Sequence, residues 1–307
     1  MTHRLLTIVL GISSLALPSF ANATLIEDFD GAGTTPFTLT QSNIGAAPTV
    51  LAGGPSGNFL RVTHLERSSN NSIAFDEEAS QTGPAPSGLT LSFDFRMTDD
   101  QSAADSGFAC CVNAQAPNGQ AADGIGIGLF GTSTWGSSGS SNPGTTSFWE
   151  SPLMLDAFTI GLDIFTFDDP ATTGNNVTLN LNGAVAADSF VSAFALNNNL
   201  FNRVMVDITA NGVNALVNLS IVEDVFGAST LHSIFSNQVV AGLDLNTLGN
   251  YRLIAGGRTG GAAMAGDLDN ISLTSTPPAQ APEPTTLALI GIGLAGIGWK
   301  RKQKLSG

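Results

Sequence analysis

Leu89, Leu91, Phe93, Phe95 and Met97 alternate with Thr90, Ser92, Asp94 and Arg96, a period of two held for nine residues. On an extended strand successive side chains point to opposite faces, so this segment has one apolar and one polar face only if it is β. The same alternation recurs at 177–181, at 204–208 and, with Leu216 as its one lapse, at 213–221. Residues 25–29, 59–65, 125–130, 158–165, 251–255 and 268–273 are further strand candidates. Turn-forming clusters punctuate them, among them Gly53-Gly54-Pro55, Asn182-Gly183, Asn211-Gly212 and Gly256-Gly257. No segment of the body carries the 3.6-residue period of an amphipathic helix, and no internal repeat stands out. Many short half-buried strands predict an all-β, two-sheet antiparallel sandwich of jelly-roll type.

Both ends lie outside that pattern. His3-Arg4, an apolar core at 5–17 and the small-x-small site Ala21-Asn22-Ala23 read as a secretory signal peptide over residues 1–23, removed by signal peptidase so that the mature chain begins at Thr24. At the other end stand Pro282-Glu283-Pro284, a glycine-rich apolar run from Leu287 to Trp299, and Lys300-Arg301-Lys302-Gln303-Lys304, which holds every lysine of the chain. That run is short for a transmembrane helix, and the basic residues behind it favour the cytoplasmic side. The motif, helix and basic end over residues 282–304 resemble the PEP-CTERM sorting signal. The resemblance implies an inner-membrane intermediate whose tail an exosortase removes, leaving the body extracellular or at the cell surface. Residues 24–276 then form the sandwich and 277–281 a linker.

The body has six arginines and no lysine against twenty-four carboxylates. Such a surface repels phosphate backbones, which argues against nucleic-acid binding and favours cations. Cys110 and Cys111, the only cysteines, sit in a polar loop where an exported setting permits a vicinal disulfide or links between chains. Gly126-x-Gly128-x-x-Gly131 matches a dinucleotide fingerprint, but no helix pattern follows it, so it reads as a glycine-dotted strand. The body's two histidines, His64 and His232, lack a nucleophile context. Its glutamates (Glu27, Glu66, Glu77, Glu78, Glu150, Glu223) form no paired cluster on one strand of the kind a jelly-roll glycanase needs. The chain reads as a non-enzyme.

Three segments are more specific: Ala122-Asp123-Gly124, entering a strand; Asp163-Ile164-Phe165-Thr166-Phe167-Asp168-Asp169, leaving one; and Gly256-Gly257-Arg258-Thr259-Gly260-Gly261 near the end of the body. In order and spacing they resemble the landmarks of the L-type lectins, with a concanavalin A-like sandwich. The closing 266–273 strand is also similar to laminin-G-like sandwiches. The lectin resemblance implies that Asp123 accepts hydrogen bonds from sugar hydroxyls, that Phe167 or Phe165 faces the sugar ring, and that Gly256 and Gly257 let backbone amides approach it. It also implies a Ca2+ ion held by Asp163, the Phe165 carbonyl and Asp168 or Asp169, hard oxygen donors suited to that ion. Gly161 stands where legume members place a metal-binding glutamate, so no second metal is expected. The expectation is an exported protein that adheres to extracellular polysaccharide; the alternative is a structural surface or matrix protein without a defined ligand, and a glycanase ranks below both.

Overall fold

The alternating segments are strands, and their apolar faces meet. The computed structural model describes residues 24–277 apart from 32, 34, 43–44, 55, 78–84, 100–122, 142–148, 166–174, 249 and 261–262. The expected signal peptide and sorting tail, Cys110, Cys111, Phe167, Asp168 and Asp169 therefore lie outside the described residues. Strands are numbered in chain order. One sheet of eight contains β1 (Thr24–Glu27), β3 (Thr49–Ala52), β4 (Asn58–Thr63), β6 (Gly88–Asp99), β11 (Asn202–Asn211), β12 (Asn214–Glu223), β13 (Thr230–Val240) and β15 (Met264–Thr276). Its order is β13-β12-β11-β6-β15-β4-β3, with β1 paired to β15. A sheet of seven contains β2 (Phe37–Gln41), β5 (Asn70–Phe75), β7 (Gly124–Gly131), β8 (Ala157–Asp163), β9 (Asn176–Leu181), β10 (Ala184–Phe190) and β14 (Tyr251–Arg258). Its order is β10-β9-β8-β7-β14-β5-β2. All pairings are antiparallel, and β6 lies between β11 and β15 rather than beside its chain neighbours.

Leu89, Leu91, Phe93, Phe95 and Met97 of β6 point inward with Val204, Val206 and Ile208 of β11 and Ala215, Val217, Leu219 and Ile221 of β12. They meet Ile125, Ile127 and Leu129 of β7, Ile160 and Leu162 of β8, and Leu253 and Ala255 of β14. Each such side chain contributes about 1.5–3 kcal/mol on burial, which makes the sheet-to-sheet layer the main source of stability. Asn182 and Gly183 join β9 to β10 with φ of 50° and 82°, the paired positive angles that favour Asn-Gly in a two-residue hairpin. Val213 departs from expectation: it sits in the β11–β12 turn and is 69 % exposed.

The outer face of the eight-stranded sheet carries a ladder of opposite charges. Asp267 of β15 accepts from Arg61 Nε at 2.7 Å and from Arg96 Nη2 at 2.7 Å, and Asp94 of β6 accepts from Arg203 Nε at 2.6 Å. Asp94 and Asp267 are fully buried beneath these guanidinium groups.

The seven-stranded sheet has a second, smaller apolar layer on its outer face. A one-turn helix, α1 (Thr132–Trp135), leads off β7, and the chain returns as Trp149–Asp156 before β8. Trp149, Met154 and Phe130 pack with Ala74 and Ile254 of the sheet. Trp149 is fully buried, and its Nε1 donates to Asn70 Oδ1 at 3.1 Å. This explains the glycine-dotted β7. Its inward positions are Ile125, Ile127 and Leu129; on the outward positions a Cβ at Gly126 would meet the Trp149 carbonyl oxygen and stand 2.7 Å from Pro152 Cγ. The backbone of the crossing segment lies directly on the sheet, where only glycine leaves room.

Gly256 and Gly257 correct the sequence expectation. They form no turn but lie inside β14, paired with Gly126 and Ile125 of β7. A Cβ at Gly256 would stand 2.6 Å from Trp149 Cδ2, and one at Gly257 2.8 Å from Thr63 Cγ2. Close packing on either side of the strand requires glycine at both.

Candidate functional site

β7 runs between β8 and β14, and one end of this triplet gathers the three segments singled out in the sequence. Gly124 pairs with Asp163, the last residue of β8, on one side and with Arg258, the last residue of β14, on the other. Asp123 extends this ladder: its N–H donates to the Arg258 carbonyl at 3.0 Å, and its carbonyl accepts from the Ile164 N–H at 3.1 Å. The backbone therefore fixes Asp123 between the two neighbouring strand ends. Gly260 lies against its carboxylate, close enough that a Cβ there would be 2.9 Å from Asp123 Oδ2. The glycine beside the carboxylate is thus Gly260 rather than Gly256 or Gly257. Thr259 anchors this turn, its hydroxyl donating to the Glu66 carbonyl at 2.6 Å.

Two further charged groups enter. Arg258 Nη1 stands 3.2 Å from Asp123 Oδ2 and donates to Glu150 Oε1 at 2.6 Å. Glu150 arrives on the crossing segment, immediately after the anchored Trp149, and its backbone packs on Gly161 and Gly124. Sequence reading missed this pair because residues 108 apart carry no local signal of each other. Glu150 lies on no strand, so the one-strand spacing that marks a glutamate pair does not reveal it.

The cluster is rich in acceptors and poor in donors. Asp123 Oδ2 and Glu150 Oε2 are buried without a hydrogen bond, and so is Oδ1 of Asn176, the cross-strand partner of Asp163. Burial drives all three carboxyls upward: Asp123 to about 6, against the pull of Arg258; Glu150 to about 7, with Asp123 adding to the rise; and Asp163 to about 8. At Asp163 the Phe165 N–H, donating to Oδ1 at 2.8 Å, opposes the rise, while Glu150, Asp123 and Asp188 reinforce it. Asp123 is buried and Glu150 and Asp163 are half-buried, and the Arg258 guanidinium meets only the first two, so the cluster keeps a demand for positive charge.

That demand fits a hard cation. Asp163 and its cross-strand partner Asn176 offer oxygen donors on either side of the 166–174 segment, and Phe165 has a backbone carbonyl beside them. Among the described residues no group of three acidic, thiol or imidazole side chains is placed to hold a metal. The histidines stand apart: His64 Nε2 lies 3.0 Å from the Ala47 carbonyl, and His232 stacks on Phe194 and faces Glu223 at 3.1 Å.

The sandwich is the jelly roll of the legume and L-type lectins, the concanavalin A-like fold. The chain is similar to the lectin UEA-II solved with galactose, at 14 % identity and a TM-score of 0.51, covering 83 % of this chain and 98 % of that one. It is similar likewise to lectin II from Ulex europaeus, at 13 % identity and TM-score 0.50 with the same coverage, 83 % and 98 %. A lectin from Bauhinia forficata solved with GalNAc gives 11 % identity and TM-score 0.50, covering 84 % and 99 %. Residues 280–302 match the PEP-CTERM protein-sorting motif. No curated protein matches the chain by sequence. Among the described residues no helix is long and apolar enough to cross a membrane.

Proposed function

We propose that this chain is an exported, non-enzymatic carbohydrate-binding protein of the extracellular polysaccharide matrix, with its ligand site at the Asp123 end of β7. The observation that carries the reading is the convergence of Asp123, Asp163, Arg258 and Gly260 on one sheet end, with Asp123 Oδ2 meeting only an ion pair to Arg258 and Glu150 Oε2 buried without a hydrogen bond. Sugar hydroxyls are donors, and a charged acceptor makes the stronger hydrogen bond with them. The lectin fold supports the same reading, and galactose and N-acetylgalactosamine are the first probes to use. Single-site affinity is weak in such a site, and adhesion comes from many copies on one polymer. Asp123→Ala is expected to abolish binding to beads bearing either sugar or matrix polysaccharide, with the melting temperature nearly unchanged, because a carboxyl held above its ordinary range contributes no net stability. Retained binding by the mutant would shift the reading to a structural matrix protein in which the Asp123–Arg258–Glu150 cluster only joins strands.

Calcium belongs to this proposal: Asp163, the Phe165 carbonyl and Asp168 or Asp169 would hold it and fix the segment after β8. Binding only to the folded state stabilises it, by about 2.7 kcal/mol at one hundred times Kd. Melting should therefore rise with millimolar calcium and return with chelator, and Asp163→Asn should remove the response. The pH dependence has a definite sign. With Asp163 near 8 and Glu150 near 7, the folded state holds protons the unfolded chain has released. In chelator that stability is fully present below the ordinary carboxylate range and is lost as pH rises through about 7 to 8. Calcium should flatten this slope, as should Asp163→Asn; a melting curve indifferent to both metal and pH would remove calcium from the proposal.

Processing is the third part. Signal peptidase acting after Ala23 and an exosortase acting at Pro282-Glu283-Pro284 would leave a secreted form without either end. Intact-mass measurement of protein from the culture medium checks this, and a secreted species still carrying Trp299 and the lysines would exclude exosortase processing.

A further inference from the structure

We infer that Arg258 is a built-in cation that positions the ligand-facing Asp123, with Glu150 as its second anchor, so that the orientation of Asp123 depends on the protein's own guanidinium rather than on a bound metal. The inference rests on the sugar-binding reading above and extends it to two residues to which the sequence reading gives no role, Glu150 outside the three segments and Arg258 within the third.

The geometry is a chain of fixed points. Trp149 is buried on the outer face of the seven-stranded sheet and tied to Asn70 through its indole N–H at 3.1 Å. Its carbonyl and that of Glu150 lie on β7 and β8 where Gly126 and Gly161 leave room, which sets the height of Glu150 above the sheet. Glu150 Oε1 then takes Arg258 Nη1 at 2.6 Å, and the same Nη1 stands 3.2 Å from Asp123 Oδ2. Arg258 is itself held at the end of β14 by the ladder to Gly124 and Asn70. One guanidinium nitrogen thus bridges two carboxylates that come from different parts of the chain. A lysine ammonium on a flexible stem would keep the charge but not the fixed planar fork.

The charged groups facing Asp123 are Glu150 from the crossing segment, Asp163 from β8 and Arg258 from β14, with Asp188 of β10 acting on Asp163. Arg258 is the cation among them. An opposite charge at this distance holds a carboxyl down by about 1–3 on the pH scale. Its removal therefore takes away the one guanidinium that Asp123 Oδ2 faces at 3.2 Å and weakens Asp123 as a charged acceptor.

The test follows Asp123 by carbon-13 NMR of its side-chain carboxyl in wild type, Arg258→Gln, Arg258→Lys and Glu150→Gln, each in calcium and in chelator, with circular dichroism as a folding control. In Arg258→Gln the Asp123 titration is expected to move up by about 1–3 on the pH scale, with Arg258→Lys between it and wild type, and with chelator moving wild type far less. Binding to galactose- and N-acetylgalactosamine-bearing beads at pH 7 is expected to fall about tenfold or more in Arg258→Gln, to recover partly in Arg258→Lys, and to persist in chelator-treated wild type. An unmoved Asp123 titration in folded Arg258→Gln would overturn the inference, and so would a chelator effect as large as the mutation's. If wild type binds neither sugar nor matrix polysaccharide, the sugar-binding reading fails, while the titration still decides whether Arg258 controls Asp123. If Arg258→Gln does not fold, Arg258→Lys carries the same titration test and an unmoved titration there overturns the inference; Glu150→Gln, which also removes a like charge beside Asp123, is read by bead binding, where unchanged binding removes Glu150 as an anchor.

Discussion

Arg252→Met is expected to destabilise the fold by about 3–5 kcal/mol, the range for removing one member of a buried charged network. Arg252 lies on β14 with its side chain fully buried. Its Nε donates to the Phe75 carbonyl at 2.7 Å, Nη2 to the Gly139 carbonyl at 2.7 Å and Nη1 to the Trp135 carbonyl at 3.4 Å. Asp76 Oδ1 stands 3.7 Å from Nη2 and accepts the Gly139 N–H at 3.0 Å. One guanidinium thus ties the end of β5 to the turn after α1. Methionine fills much of the volume but satisfies no carbonyl, so three acceptors lose their donor and Asp76 loses its cation. For a domain of this size the loss corresponds to a fall in melting temperature on the order of 10 °C. Arg252→Lys should fall between, since one ammonium cannot reach three divergent carbonyls. Thermal and urea denaturation measure the effect, and limited proteolysis should locate the first opening between residues 135 and 156. A melting temperature within about 2 °C of wild type would show that the turn is held by other contacts.

How far the fold could be read from the sequence follows from what each strand faces. β6, β11 and β12 have one side on the core and one toward solvent, and their period of two predicts both existence and orientation. The outer strands β2, β3, β10 and β13 escaped sequence reading. A strand at a sheet edge packs against neighbours on one side only, and β10 shows the result: every residue from Ala184 to Phe190 is half-buried or exposed. β5 escaped for the opposite reason. It is buried along its whole length, because Trp149 and its neighbours cover its outer face, and Asn70, Asn71 and Ser72 read as loop residues. Asn71 resolves that contradiction by donating through Nδ2 to the Val62 carbonyl at 2.7 Å and the Ala46 carbonyl at 3.0 Å. At the candidate site, Asp123 and Asp163 were legible because each borders a strand. The Gly256-Gly257 pair misled because glycine marks either a turn or a close backbone approach, and a local window does not distinguish them. Glu150 and Arg258 required the crossing segment, which has no periodic signal of its own.

Gly161→Ala is expected to separate the crossing segment from β8 and to disturb the site without substituting any charged residue. A Cβ at this position would collide with the Glu150 carbonyl oxygen and stand 2.7 Å from Thr178 Oγ1. The threonine hydroxyl can rotate away. The carbonyl cannot, because the Glu150 backbone is fixed on one side by the buried Trp149 and on the other by Pro152, whose carbonyl accepts the Thr159 hydroxyl at 2.6 Å. The segment must therefore lift from the sheet or β8 must shift, at a cost of about 1–3 kcal/mol for an overpacked methyl. Either movement draws Glu150 Oε1 away from Arg258 Nη1 and weakens the hold on Asp123, so sugar binding should fall further than the melting temperature alone implies. Because the collision is with backbone, trimming the neighbouring side chain gives no relief: Gly161→Ala/Glu150→Ala should remain at least as unstable as Gly161→Ala. Glu150→Ala alone should melt closer to wild type, since Glu150 is a carboxyl that burial already disfavours in its charged form. Should Gly161→Ala instead melt as wild type and leave the Asp123 titration in place, the crossing segment does not rest on β8, and the anchoring of Glu150 through Trp149 would have to be abandoned.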